Sequence, residues 1–317
     1  MSTEKNQLIK TRLHIKNKNR ERYNLPELLK VTPELSKYLK PNINGEDSVD
    51  FHNPTAIKLL NTALLNYYYG IKHWDFPDEN LCPPIPGRAD YLHYVADLLS
   101  NYSDDIPKGK KITCLDIGIG ASAIYPIIGV TEYDWNFIGS DVDTKSLASA
   151  KNIIAHNDQL KGRVNCILQK DHASFFNGII SKDDRIDITI CNPPFHSSRE
   201  QAFNGNRKKV ENLTGKRPTK QVLNFSGLNS ELLYEGGEYN FIQSMIYESK
   251  KYAENCFWFT SLVSKESNLK GLYKCIDKIG AIQDKTIPMG TGNKSTRIIA
   301  WTFLTRKEQE NWRKNRW

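Results

Sequence analysis

The chain has 317 residues, 39% of them apolar and 25% charged, with a formal net charge of +8. This balance excludes disorder as the default and is enough to bury a sizeable core in one large domain with an appendage, or in two ordinary domains. No apolar run approaches a membrane span and the first twenty residues lack the apolar stretch of a signal peptide, so a cytoplasmic protein with no membrane partner is expected.

The charge is unevenly placed. Residues 1–40 hold ten Lys or Arg against four Glu, residues 199–220 seven against two acids, and residues 305–317 five against two. Together these segments carry +14, which leaves about −6 on the rest of the chain. Basic segments on an otherwise acidic body fit a polyanion-binding surface, although solvated Lys-rich surfaces give the same count. In the first segment Lys16, Lys18, Arg20 and Arg22 are the candidate phosphate contacts. Periodicity is weak over the first fifty residues, which are expected to be ordered only in part.

Residues 51–100 read as helical. Ile57, Leu60, Ala63, Leu64 and Tyr67 make one stripe, and Tyr91, Leu92, Val95, Leu98 and Leu99 another. Between them Cys82-Pro83-Pro84-Ile85-Pro86-Gly87-Arg88 holds three prolines, so the second helix is expected to begin near Gly87. Residues 1–107 are therefore expected to form a basic, mainly helical N-terminal region.

From residue 108 to 317 apolar strand-like runs alternate with helical patterns, the order of a doubly wound α/β sheet. Strands are predicted at Lys111 to Ile117, Asn136 to Val142, Val164 to Gln169, Ile186 to Cys191, Cys256 to Val263, Lys285 to Met289 and Arg297 to Leu304. Helical patterns cover Lys145 to Asn157, Tyr239 to Tyr252 and Glu266 to Ile279. The fold expected is a Rossmann-like, seven-stranded class I methyltransferase domain, interrupted by a basic insertion at 196–230.

After the first of these strands comes Leu115-Asp116-Ile117-Gly118-Ile119-Gly120-Ala121-Ser122, leading toward a helix. Gly118 and Gly120 permit a tight turn and close approach of a ligand, and with Ala123 the spacing also fits a dinucleotide fingerprint. Asp116 favours S-adenosylmethionine instead, because its carboxylate would pair with an ammonium and repel a pyrophosphate. Asp141, at the end of the second strand, can accept from both ribose hydroxyls of either cofactor; an N-cap or turn role is the competing reading, since Asp143 sits beside it. Asp171 or His172, past the third strand, is placed to contact an adenine ring, or else simply forms a turn.

The fourth strand runs into Asn192-Pro193-Pro194-Phe195. Ligands in such sheets bind beyond the carboxyl ends of the strands. The Asn192 side-chain oxygen and the Pro193 carbonyl can accept the two hydrogens of an adenine amine, the proline pair stiffens the backbone, and Phe195 can stack on the base. Asn-Pro alone is a common turn opener; its position downstream of a glycine loop and a second-strand acid is what lifts it above that. Arg199, Arg207, Lys208, Lys209, Lys216 and Arg217 follow within a stretch that begins four residues beyond Phe195, and are expected to grip RNA phosphates.

On these residues the chain resembles the bacterial RlmF-type 23S rRNA adenine-N6 methyltransferases, related to the methyltransferase-like N6-methyladenosine enzymes of eukaryotes. The resemblance is carried by Ser48-Val49-Asp50-Phe51, the block from Leu81 to Tyr91, Leu115-Asp116-Ile117-Gly118, Cys191-Asn192-Pro193-Pro194-Phe195-His196, Glu235-Gly236-Gly237-Glu238 and the run from Arg297 to Phe303. It extends from about residue 20 to 304, and the proline-rich block is its most specific part. It implies methylation of one adenine, position 1618 in the family's rRNA numbering, with S-adenosylmethionine converted to S-adenosylhomocysteine and no metal. It also implies that Arg88, Gly118, Ser122, Asp141 and Asn192 contact the cofactor or bridge it to the substrate, which would be 23S rRNA or a large-subunit assembly intermediate met by a monomeric enzyme. Relatives often carry Glu where this chain has Asp141. A DNA adenine methyltransferase is the nearest rival. Protein-glutamine methylation would favour Tyr after the prolines, a non-catalytic RNA-binding protein would not need Asp116, Asp141 and Asn192 intact, and a nicotinamide oxidoreductase leaves Asn192 to Phe195 unexplained. His196 follows the motif; His14, His52, His73, His93 and His156 lack partners at catalytic or ligand spacing, and the six scattered cysteines read as reduced packing residues.

Overall fold

The computed structural model describes residues 13–42, 44–100, 105–194, 233–291 and 294–317. Phe195, His196, Arg199, Arg207, Lys208, Lys209, Lys216 and Arg217 lie outside the described residues.

All seven predicted strands are present: β3 (Thr113–Ile117), β4 (Asn136–Asp141), β5 (Val164–Leu168), β6 (Ile186–Cys191), β7 (Cys256–Val263), β8 (Gln283–Thr291) and β9 (Lys294–Thr302). They form one sheet in the order β5-β4-β3-β6-β7-β9-β8, parallel except for β9, which runs antiparallel to both neighbours. Every residue of β6 and β7 is buried, the polar Asp187, Thr189, Thr260 and Ser261 included, because helices cover both faces of the sheet. Each large apolar side chain so buried contributes about 1.5–3 kcal/mol. The faces are covered by α4 (Ile124–Tyr133), α5 (Thr144–Ala155), α6 (Gly237–Ser249) and α7 (Leu269–Ile279), in addition to helices from the N-terminal region.

That region contains α1 (Leu25–Val31), a small hairpin of β1 (Leu39–Pro41) and β2 (Asp47–Val49), α2 (Pro54–Tyr69) and α3 (Ile85–Leu99). Asn53 caps α2 by accepting from the Thr55 and Ala56 amides, and Gly70, at φ 66°, ends it. Leu60, Leu64, Leu92, Val95 and Leu99 enter the same hydrophobic core as Cys114 of β3 and Ile298 of β9.

One expectation is corrected here. The α3 helix starts at Ile85 rather than near Gly87, with Pro84 as its cap and Pro86 inside the first turn. First-turn amides have no intrahelical acceptor, so a proline there forfeits no hydrogen bond. Residues 13–42 and 44–50, whose periodicity is weak, are folded and hold α1 and the β1–β2 hairpin. The His14 amide donates to Asp90 at 3.0 Å, the Asn17 side chain donates to Asp90 and to the Pro86 carbonyl at 2.9 Å, and His14 Nε2 meets Asp97 at 2.8 Å. Polar contacts to α3, which hydrophobic patterning does not register, hold the first residues of this segment, while Leu28, Leu35 and Val49 enter the main core.

One further element went unpredicted. The C-terminal helix α8 (Arg306–Arg316) starts in a capping box between Thr305 and Glu308. It docks on Asp187, a fully buried carboxylate at the amino end of β6, which accepts from Trp312 Nε1 at 2.7 Å, Trp317 Nε1 at 2.8 Å, Arg316 Nη2 at 3.2 Å and the Thr113 amide at 2.7 Å. Arg316 of the basic C-terminal segment is thereby turned inward, at the sheet edge opposite Asn192.

Candidate active site

The order of strands sets the site. Chain connections leave β3 toward β4 on one side while β6 lies on the other, so the loops after β3 and β6 part and open a crevice at the carboxyl edge. In the β3–β6 register Asp116 faces Ile190 and Ile117 faces Cys191. The next residues, Gly118 and Asn192, therefore leave adjacent strands side by side, and the structure brings the two predicted motifs together.

The glycine turn is built by positive φ at Gly118 (79°) and Gly120 (64°), followed by Ala123 at 48°, and the Gly118 and Ile119 amides both donate to the Ser140 carbonyl at 2.9 Å. A Cβ built on Gly118 or Gly120 would meet nothing within 4 Å, so open space lies over this turn. Beneath it Asp116 is fully buried, and neither carboxylate oxygen has a hydrogen-bond partner. Burial pushes its pKa well above the usual carboxylate range; Asp141 pushes the same way and the Arg88 charge opposes. A buried carboxyl with no hydrogen-bond partner is a costly feature that a cationic group would relieve.

Asp141 ends β4 and accepts from the Gly120 amide at 2.9 Å on one oxygen and from the Asp143 amide at 3.0 Å on the other. The helix-cap role belongs to Asp143, which accepts from the Ser146 amide at 2.9 Å. Each Asp141 oxygen keeps a second lone pair for an outside donor. Burial raises the Asp141 pKa and the two amides oppose that shift. Ser122 is buried, and its carbonyl accepts the Trp74 indole N–H at 2.9 Å, which ties the segment after α2 to the turn. Arg88, in the first turn of α3, donates to the Tyr125 hydroxyl at 3.0 Å; burial pushes that phenol up to about 12, so it remains protonated. Asp171 is exposed, and both of its oxygens are engaged within a local turn, by the Ala173 amide at 3.0 Å and the Ser174 hydroxyl at 2.7 Å.

On the other lip Pro193 and Pro194 are buried, and the Asn192 side-chain oxygen is buried without a partner. Two orphaned acceptor groups, Asp116 and Asn192, thus stand on neighbouring strands, one suited to an ammonium and the other to an amine hydrogen. These residues fit the methionine end and the ribose of S-adenosylmethionine.

The N-terminal basic residues do not converge on this crevice as free charges. Lys16 Nζ lies 3.8 Å from Asp97, Lys18 Nζ 2.6 Å from Glu132 and Arg22 Nη1 2.5 Å from Glu46, while Arg20 Nε is buried without a hydrogen-bond partner. Trp74, Tyr91 and Tyr125, which the sequence reading treated as packing residues or passed over, all contact the site's scaffold; only the proline-rich block, which includes Tyr91, carried a signal for one of them. Among the described residues no group of His, Cys, Asp and Glu is arranged to hold a metal, and no helix is long and apolar enough to cross a membrane.

A family model described as RNA methyltransferase matches residues 7–305. Ribosomal RNA large subunit methyltransferase F of Cytophaga hutchinsonii is 51% identical over 97% of this chain and 96% of its own. The protein of that name from Serratia proteamaculans is 48% identical over 97% of this chain and 92% of its own. Among solved structures, the catalytic domain of human METTL16 in complex with a MAT2A 3′UTR hairpin has a TM-score of 0.78 at 26% identity, covering 93% of this chain and 96% of that one. The N-terminal domain of human METTL16 in complex with SAH, at 24% identity and a TM-score of 0.72 over 92% of this chain and 99% of that one, shares the fold.

Proposed function

The chain belongs to the RNA methyltransferase family, and on that premise we propose that it methylates the exocyclic N6 amine of one adenine in 23S ribosomal RNA, or in a large-subunit assembly intermediate, acting as a monomer. The observation that carries this reading is the pair of orphaned groups at the β3–β6 fork, Asp116 and the Asn192 oxygen. When bound, S-adenosylmethionine supplies an electrophilic methyl group on sulfur. Asp116 would hold its ammonium, Asp141 its ribose hydroxyls and Arg88 its carboxylate, with Gly118, Gly120 and Ser122 shaping the floor; Asp171 is proposed beside the adenine ring.

The chain's own residues then activate the substrate. An adenine amine is a weak nucleophile because its lone pair is delocalised into the ring. Acceptors at Asn192 Oδ1 and the Pro193 carbonyl engage its two hydrogens and favour a pyramidal nitrogen with a localised lone pair. The prolines keep these acceptors fixed, and Phe195 supplies a stacking face. The proton leaves after the new N–C bond has formed, so no strong base is required beforehand.

The direct test is incubation with methyl-labelled S-adenosylmethionine and either a 23S rRNA fragment or DNA of the same sequence, followed by nucleoside analysis. N6-methyladenosine in the RNA alone is expected. Labelled DNA and unlabelled RNA would replace this reading with the DNA one.

The RNA grip is assigned to Lys16, Lys18, Arg20 and Arg22 and to the stretch from Arg199 to Lys220, whose first residue lies five positions beyond Pro194 at the fork. Replacing Arg207, Lys208 and Lys209 together with Ala is expected to weaken rRNA binding and to flatten the slope of log affinity against log salt by about 2–3, because that many counterions are no longer released. Affinity for S-adenosylmethionine should not change. Equal salt slopes for variant and wild type in filter binding would remove these residues from the interface.

A further inference from the structure

We propose that Tyr91 is a positioning residue for the methyl transfer, acting through a chain of three buried hydrogen bonds that fixes the backbone entering Asn192. This inference rests on the function proposed above.

Tyr91 lies on α3, one turn after Arg88, and is fully buried. The β6–β7 backbone pairing runs through Ile186 with Cys256 and Ile188 with Trp258 and extends no further. Beyond that point hydroxyl groups take over. The Thr260 amide donates to Thr189 Oγ1 at 3.0 Å, and the Thr260 hydroxyl donates to the Thr189 carbonyl at 2.6 Å. With its proton so committed, Thr260 Oγ1 must accept from the Tyr91 hydroxyl at 2.7 Å, and the Tyr91 oxygen accepts the Cys191 amide at 3.2 Å. All bonds in this relay therefore have a determined direction: Cys191 N–H to Tyr91, Tyr91 O–H to Thr260, Thr260 O–H to the Thr189 carbonyl. Thr189 and Thr260 are both fully buried, so water does not compete.

The place where the relay ends gives it a functional consequence. Cys191 immediately precedes Asn192, whose side-chain oxygen has no protein partner to aim it. Its position depends on the backbone before it and on the two prolines after it. Prolines offer no amide hydrogen, so the Cys191 amide is the tether on the β7 side of that backbone. The other end of the same helix turn reaches the glycine-turn side: Arg88 donates to Tyr125 of α4, and the Tyr91 and Tyr125 rings meet edge to face at 5.6 Å between centroids. A single turn of α3 thus references the two lips of the crevice to each other.

The test compares Tyr91→Phe, which keeps the ring and removes the hydroxyl, with Thr260→Val and Thr260→Ser. Tyr91→Phe and Thr260→Val are each expected to lower kcat by about 5- to 30-fold, the worth of one buried hydrogen bond read in the transition state. Affinity for S-adenosylmethionine and KM for the RNA should stay within about twofold, because neither hydroxyl faces a ligand. The double variant should lose little more than either single one, as members of one relay do. Thr260→Ser retains the hydroxyl and is expected to keep nearly full activity. Hydrogen exchange of the Cys191 amide, which needs no activity at all, should accelerate in Tyr91→Phe. Should Tyr91→Phe fail to fold, the Thr260→Val and Thr260→Ser pair carries the same comparison. Wild-type kcat in Tyr91→Phe or Thr260→Val, or an equal loss in Thr260→Ser, overturns the proposal. An inactive wild-type protein together with faster Cys191 exchange in Tyr91→Phe would instead overturn the assigned reaction and leave the tether in place.

Discussion

Replacing Asn192 with Ala is expected to reduce the turnover of methyl transfer by about 10²–10³-fold, in the range seen when one preorganised hydrogen-bond partner of a transition state is removed. The Asn192 oxygen has no protein donor, so its truncation strands no other group, and the stability of the fold should move by less than about 0.5 kcal/mol. Affinity for S-adenosylmethionine should stay within about threefold, since the carboxamide acts on the reacting amine. The loss should therefore fall on kcat rather than on cofactor binding. Single-turnover kinetics on the rRNA fragment, with calorimetry of cofactor binding alongside, measures both parts. Methylation at the wild-type rate would end the role given to Asn192, and a collapse of cofactor affinity with kcat intact would move it to the cofactor site.

Asp116→Asn should produce a division between stability and function. The carboxyl is buried and unpartnered, with its pKa pushed well above the ordinary 3.8. Below 3.8 the folded and unfolded chains both hold the proton and the group costs nothing. As pH rises through that value the unfolded chain ionises while the folded chain resists, so stability falls across the window between the unfolded and folded values. Asparagine has the same shape and no charge to desolvate. The ligand-free variant should gain about 1–3 kcal/mol at neutral pH, a rise in Tm of roughly 2–6 °C, and its stability should fall less with pH than that of wild type. Its affinity for S-adenosylmethionine should drop by about 10- to 100-fold, the worth of a charge-assisted hydrogen bond. Thermal melts with and without cofactor decide the matter. A variant that melts below wild type when ligand-free, or that is stabilised by cofactor to the same extent, would show that Asp116 is not the ammonium partner.

The cost of leaving Asp116 unpaired in the free protein fits a general pattern in which polar groups preorganised for a ligand are poorly satisfied without it. The same holds for the Asn192 oxygen on the neighbouring strand. By contrast Glu238, the second residue of α6, is buried yet fully engaged, accepting from the Ser264 amide at 2.7 Å, the Lys265 amide at 3.2 Å and the Asn268 side chain at 2.7 Å. Its role is to hold the turn after β7. Burial alone does not separate the two kinds of acid; the presence or absence of a partner does.

The amino-acid sequence determined the strand register of the chemistry. The runs Ile186 to Cys191 and Cys256 to Val263 are rich in β-branched and aromatic residues and read as strands, and the residues that follow β3, β4 and β6 had to fall at one edge because parallel strands share a direction. That is why Asp116, Gly118, Asp141 and Asn192 could be named in advance. Local patterning could not say which acid beside β4 caps the helix and which faces the glycine turn, because Asp141 and Asp143 differ only in where the folded backbone puts Gly120 and Ser146. Nor could it anticipate that Lys16, Lys18 and Arg22 would meet Asp97, Glu132 and Glu46, or that Arg316 would turn inward onto Asp187, since net charge counts residues and not their partners. The Tyr91 relay was the least legible of all: its members lie 71 and 169 residues apart along the chain, and only packing of α3 against the β6–β7 pair makes two ordinary core hydroxyls into one tether.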